Sequence, residues 1–368
     1  MKGLSISILF LCLLLLIPSL PLVWGVEDSW ARERPIPTIR SRLGVAVVNG
    51  KIYAIGGIND SGYLSINEEY DPTTKTWTTK TPMPTPRSDF GIAVVNNKIY
   101  CIGGIIKYDW SGYGEGILSA ANEVYDPLTD TWENKTEMPT TRQRPITNVV
   151  HDKIYIIGGF QYRDLPPPQT TIGLDVNEVY DPKTDSWTIK KPIPITTSNP
   201  ASATIDNKIY VIGGFQKNLN QIYDPQSDTW SQGAPIPTAV ALAGAGATTG
   251  EMAPKRIYVI GGYTSYDEVS LNQVYNPQTD TWTSGQSMPT ARHSFGVAVV
   301  NDTLYAIGGG STNLNVRYYD ENEKYIPIGY IPEFPSWTPL LVMLVAVVAV
   351  TVIFRQRLST KNQGRIDQ

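Results

Sequence analysis

Between residues 28 and 329 the chain is built from short runs in which apolar and polar positions alternate with a period of two. Lys98-Ile99-Tyr100-Cys101-Ile102 is one such run, closed by the pair Gly103-Gly104. Runs of four or five residues with this period, bounded by Gly, Pro, Asn and Asp, predict β-strands, and no stretch of this body carries a helical period. The pattern breaks only at the two ends. Leu4 to Ile17 and Pro339 to Phe354 are continuous apolar runs without alternation.

The strand pattern recurs. The string Ile-Tyr-x-Ile-Gly-Gly, with minor changes, occurs six times, and its glycine pairs are Gly56-Gly57, Gly103-Gly104, Gly158-Gly159, Gly213-Gly214, Gly261-Gly262 and Gly308-Gly309. A string of the form Asn-x-x-Tyr-Asp-Pro follows at Tyr70, Tyr125, Tyr180 and Tyr223, and with Asn for Asp at Tyr275. Seven residues further on stand Trp77, Trp132, Trp187, Trp230 and Trp282. Each unit holds four short strands. In the second they begin with the segment from Arg87 to Val95, followed by Lys98 to Ile102, Glu123 to Tyr125 and Thr131 to Glu133, with a Pro-set turn between the last two. Fixed-period units of this kind stack to bury a shared core.

The glycine pair, the spaced tyrosine and the following tryptophan resemble the repeat of the kelch family. The resemblance covers about residues 28 to 329 and implies an all-β, six-bladed kelch-type β-propeller in which every repeat is one four-stranded blade. The regular Trp and Gly positions then belong to the scaffold. From Trp77 to Gly103, Trp132 to Gly158, Trp187 to Gly213 and Trp282 to Gly308 the interval is 26 residues, and Trp30 to Gly56 repeats it. Trp30 therefore reads as a blade tryptophan with no blade in front of it. The sixth unit lacks a tryptophan where one is due, and Tyr325 stands in its place. Ring closure follows, with residues 28 to 32 supplying the outer strand of blade six and removing an exposed edge. The rival reading makes residues 324 to 328 that strand, with Trp30 packed outside it.

Departures from the repeat point to function. After their second strands, blade two gains a segment with Tyr108, Trp110 and Tyr113, and blade three one with Tyr162, Arg163 and three prolines at 166 to 168. In a propeller these loops share a face with the blade-to-blade connections, which carry Arg40, Arg42, Arg87, Arg142, Arg144 and Arg292. Aromatic rings beside guanidinium groups suit a glycan or an acidic peptide, by stacking and bidentate bonding. The expected ligand site comprises Arg87, Tyr108, Trp110, Tyr113, Arg142, Arg144, Tyr162 and Arg163; the alternative is that the arginines bridge neighbouring blades and the aromatics cover one another. Blade five carries a small, glycine-rich insertion at 241 to 253 that reads as a flexible excursion.

Composition narrows the classes. Of 368 residues 17% are charged, the net charge is −4, and there are 31 Gly, 28 Pro and 21 Tyr, which fits turns and strands and gives no support for a nucleic-acid partner. Lys2, the apolar run and Gly25 read as a signal peptide over 1–25, or as an uncleaved anchor. The domain plan is then a propeller over 26–330, a linker over 331–337, a transmembrane helix over 338–354 ending at Arg355 and Arg357, and a cytoplasmic tail over 355–368. Within that linker Pro332-Glu333-Phe334 resembles an archaeal sorting signal, which implies a sorting enzyme as a further partner. The expected place is a single-pass protein of the cell membrane with its propeller outside. Asn59, Asn134 and Asn301 head glycosylation triplets. With two histidines three blades apart and a lone mature cysteine, Cys101, no metal or cofactor is expected. The expected function is binding or adhesion to a glycan or protein, the alternative a carbohydrate-active hydrolase or sugar isomerase on the same fold.

Overall fold

The computed structural model describes residues 26–109, 115–162, 171–311 and 317–331, and beyond them 344, 348–349 and 351–353. Residues 26–330 contain six four-stranded antiparallel sheets. Blade one runs through Gly44–Val48, Lys51–Ile55, Asn67–Asp71 and Thr76–Lys80, and blades two to five repeat this order. The six first strands neighbour one another in sequence, the sixth returning to the first, so they surround the axis of a closed ring. The inner strands bury alternate positions. Second and third strands are almost wholly buried, whereas the fourth strand is exposed apart from two half-buried positions. The apolar cores lie between blades. One joins Ala46, Tyr53 and Met83 of blade one to Ile99, Cys101 and Tyr125 of blade two. Burial pushes the Cys101 thiol up to about 12, the state of an inert core residue.

Closure is made by both chain ends. Ser29–Arg32 pairs antiparallel with Asn322–Ile326, and Trp30 lies opposite Tyr325 as Trp132 lies opposite Tyr125. The ring geometry repeats too, with centroids 5.1 Å apart and planes 38° apart in both pairs. Tyr325 is thus the third-strand tyrosine of blade six rather than a substitute for its tryptophan. The motif is present as Asn322-Glu323-Lys324-Tyr325, without the Asp-Pro that follows it elsewhere.

One inter-blade clamp recurs. Trp132 Nε1 donates to the Thr81 carbonyl of the blade before it (2.9 Å), while Asp130 accepts from the Thr81 N–H (2.9 Å) and from Tyr125 Oη (2.6 Å). At blade six the same parts are Trp30, Asp28 and Tyr325, acting on Gln286. Blade one is the exception. Lys75 stands where the aspartate would be, and Glu33 takes over: it accepts from Tyr70 Oη (3.0 Å) and pairs with Lys75. The glycine pairs serve close approach. Gly103 and Gly104 have φ of +69° and +94°, and a Cβ on Gly104 would lie 2.6 Å from the Ser88 carbonyl oxygen.

Two expectations are corrected. The blade-five insertion is no loose excursion: Gly244–Ala247 is that blade's inner strand, and the N–H groups of Thr249, Met252 and Ala253 close on the Asp302 carboxylate of blade six at 2.6 to 2.9 Å. Burial raises the Asp302 pKa, but these donors outweigh it and hold it below the usual value. The transmembrane segment at 338–354, with its membrane partner and single-pass membrane localisation, is overturned, because among the described residues no helix is long and apolar enough to cross a membrane. Residues 331–368 form a separate unit in which the described helical positions are Leu344, Val348, Ala349 and Thr351 to Ile353. The signal peptide at 1–25, the Pro-Glu-Phe string and the remainder of the apolar run lie outside the described residues.

Candidate functional site at the axial mouth

Each connection into a first strand turns sharply, and in blades one, two, three and six it first passes an arginine. Arg40, Arg87, Arg142 and Arg292 are 0% exposed. Arg40 pairs with Glu68 at 2.7 Å and Arg87 with Glu123 at 2.7 Å, and Arg142 and Arg292 reach Glu178 and Glu323 in the same way. The other carboxylate oxygen accepts from Thr38, Thr85, Thr140 or Thr290, two residues before the arginine. A second guanidinium nitrogen closes on a second-strand carbonyl, as Arg87 does with that of Cys101 (2.8 Å). Burial pulls the Arg40 and Arg142 pKa values below their ordinary value, their carboxylates opposing this. Blades four and five show the neutral form of this join. They lack the arginine, and the glutamate becomes Gln221 or Gln273, whose amide bonds the backbone N–H and carbonyl of Ile195 or Thr238. Arg87 and Arg142, expected at the ligand site, are therefore sealed within their own blades.

The turn that follows forms the mouth of the axis. Arg42, Asp89, Arg144, Asn199, Leu242 and Ser294, one from each blade, all have φ between +50° and +56°. Non-glycine residues visit this region rarely, and such strain clusters at functional positions. Here it is locked by a run of backbone bonds: Arg42 N–H to Ser294 (2.8 Å), Asp89 to Arg42 (3.1 Å), Arg144 to Asp89 (2.6 Å), Leu242 to Asn199 (2.9 Å) and Ser294 to Leu242 (3.0 Å). The side chains at the rim are charged. The Asp89 carboxylate, 5% exposed, sits between Arg42 at 3.5 Å and Arg144 at 2.8 Å, whose side chains are 29% and 22% exposed. Arg144 also donates to Asn199 Oδ1 (3.1 Å). Two guanidiniums face one carboxylate at the mouth.

His293 lies beside this rim. Its Nδ1 is 2.9 Å from Ser294 Oγ, its Nε2 is 3.6 Å from Glu268, and its ring meets Tyr263 edge-on. Burial lowers its pKa; Glu268 opposes this, while Arg42 and Arg144 add to it. Among the described residues no group of three His, Cys, Asp or Glu is placed to hold a metal.

Short hairpins rise beside the mouth after the second strands of blades one, two, three and six. In blade two Ile105–Asp109 pairs with Glu115–Leu118, and in blade three Phe160–Tyr162 pairs with Thr171–Gly173. The two hairpins touch, since a Cβ on Gly116 would lie 2.7 Å from the Tyr162 ring, and Tyr162 Oη accepts from Gln143 (2.9 Å). Tyr108 is in the blade-two hairpin. Trp110, Tyr113 and Arg163 lie outside the described residues. Of the glycosylation candidates, Asn134 and Asn301 are exposed, while Asn59 ties down its own turn by donating to Ile39 and accepting from Ser61.

A model of the kelch motif matches residues 39–84 and 86–139, and the KLHDC2/KLHL20/DRC7 Kelch-repeats domain matches 124–310. The chain belongs to the kelch-repeat family. Kelch-like protein 36 of Bos taurus is 28% identical over 278 residues, 72% of this chain and 43% of that protein. Kelch-like protein terF of Aspergillus terreus is 28% identical over 297 residues, 77% of this chain and 53% of that protein. The chain thus spans about half the length of these kelch relatives or less. The solved structure described as that of YjhT shares the fold, with a TM-score of 0.65 at 17% identity over 78% of this chain and 95% of that one. The kelch models end at residue 310 and lend no support to a sorting signal beyond it. As a kelch propeller, the chain is a binding module.

Proposed function

We propose that the propeller binds an extended segment of a partner protein across the axial mouth, on the side walled by the hairpins of blades two and three. The observation that carries this reading is the combination of surfaces on one face. Exposed apolar side chains, Ile39, Ile117, Phe215 and Tyr266 (83% exposed), surround the charged rim made by Arg42, Asp89 and Arg144. Exposed aromatic and apolar anchors around a charged centre are the usual anatomy of a protein-binding patch. Tyr108, Trp110, Tyr113, Tyr162 and Arg163 would add further contacts to the partner, while Arg87 and Arg142 would act only by holding the mouth in shape. An acidic side chain or terminal carboxylate on the partner would meet Arg144 in a charge-assisted bond.

Panning a displayed random-peptide library on the full chain tests this. Enriched peptides are expected to carry an acidic group beside apolar residues. Their affinity should fall at least tenfold on Arg144→Ala and on Tyr266→Ala, with the melting temperature held within about 3 °C. Enrichment indifferent to both substitutions would remove the mouth as the site.

A further inference from the structure

The opposite face carries an unfilled version of a site that blade one fills for itself. In blade one Glu69 lies across from Tyr53 and accepts from its hydroxyl (2.5 Å). Lys51, the first residue of the second strand, and Lys80, the last of the fourth, close on the same carboxylate at 3.0 and 3.4 Å. Blade two keeps all three donors in the same register, as Tyr100, Lys98 and Lys135, but the residue opposite Tyr100 is Val124. Tyr100 is itself buried, but it lines a space between the blades and has no carboxylate in hydrogen-bond reach among the described residues. Lys98 falls back to 3.0 Å from Asp126, where Lys51 stands off its counterpart Asp71 at 3.9 Å.

That space is a cleft of about 460 Å³ between blades two and three. Blade three contributes His151 and Lys183 to its far wall, and neither makes an ion pair among the described residues. Three acids also line it: Glu133, paired with Lys135; Asp181, paired with Lys153; and Asp152. The next seam is a natural control. Blade three repeats Tyr155, Lys153 and Lys190 opposite Val179, but Asp206 replaces His151 and Gln226 replaces Lys183.

We infer that the cleft between blades two and three is a second binding site, for a small hydroxylated carboxylate of sugar-acid size. Its carboxylate takes the place that Glu69 fills in blade one, between Tyr100, Lys98 and Lys135. The volume lies in the range of small-molecule sites. The lysines supply charge-assisted donors. The rim acids accept from hydroxyl groups and repel a polyanion, which selects a sugar acid over a polyphosphate. The mouth is on the other face, so this site stands whether or not the mouth binds peptides.

Calorimetric titration of the full-length chain with D-glucuronate, D-glucose and inorganic phosphate tests it. Saturable glucuronate binding is expected, at least tenfold tighter than glucose or phosphate. Val124→Glu, which installs the blade-one carboxylate, should weaken it at least tenfold by filling the site from within. Tyr100→Phe should weaken it about three- to tenfold, and Tyr155→Phe should leave it unchanged. If Val124→Glu does not fold, Tyr100→Phe and Lys183→Ala decide, and normal affinity in both overturns the site. Absence of saturable glucuronate binding, or equal binding of phosphate, also overturns it.

Discussion

Arg142 and Glu178 form an ion pair with no access to water, and the chain itself contains the experiment that weighs it. Removing one partner of a buried pair strands the other charge and costs about 3–5 kcal/mol. Arg142→Ala is expected to cost this much in a denaturant melt. The blade-five pair, Val240 with Gln273, shows the neutral solution. Arg142→Val combined with Glu178→Gln should therefore recover more than half of the loss, and a double variant as unstable as the single would show that the charges are not the issue. The arginines were legible in the sequence but their partners were not. The glutamates hide in the variable position of Asn-x-x-Tyr, and only its switch to Gln where the arginine is missing betrays the link. Arg42 and Arg144, two residues beyond their buried neighbours, differ from Arg40 and Arg142 in nothing that composition records. Backbone φ turns one set to the rim and the other inward.

At the scale of the strand and its turn, Asp185 and Asp228 tie neighbouring blades. The hydroxyls of Tyr180 and Tyr223, and the N–H groups of Thr136 and Lys191, hold their pKa values below the usual 3.8. A carboxylate depressed on folding contributes stability that is whole above its unfolded pKa and is lost as pH falls through the folded one. The chain should lose stability below about pH 5, where unfolded aspartates begin to take up protons. Asp185→Asn should flatten part of that slope while leaving its shape near pH 7 unchanged, and an acid melt that keeps its full slope would contradict the role given to this turn. The strands were readable from their period of two, and so was the interval that put Trp30 in register. The apolar run at 339–354 has no such partner pattern, and hydropathy by itself misassigned it to a membrane.

For the whole molecule, closure decides stability. Trp30 is half-buried against Tyr325, so Trp30→Ala should cost about 3 kcal/mol, the low end for a large aromatic cut to alanine. Deleting residues 26–32 should cost more, because it bares the Asn322–Ile326 edge as well. A melt of the deletion variant that matches the intact chain would mean that blade six holds without its outer strand. The two binding faces depend on this ring differently. The mouth is a property of all six blades, since the backbone bonds of its turns, with the Arg144–Asn199 side-chain bond, join one residue from each. The cleft belongs to a single seam.

The strand Ser29–Arg32 is among the first segments of the body to leave the ribosome, and its partner, Asn322–Ile326, is among the last. At roughly 5–20 residues per second, the early strand waits about 15–60 s before the edge it must cover exists. During that interval five blades can assemble in order, each against the one before, while the Trp30 segment trails as an unpaired thread. Blade one meets this delay with a provision of its own. Glu33, which sits just past the waiting strand, holds Tyr70 and Lys75, so the thread is moored to the first finished blade at the point from which it will later swing across to the sixth.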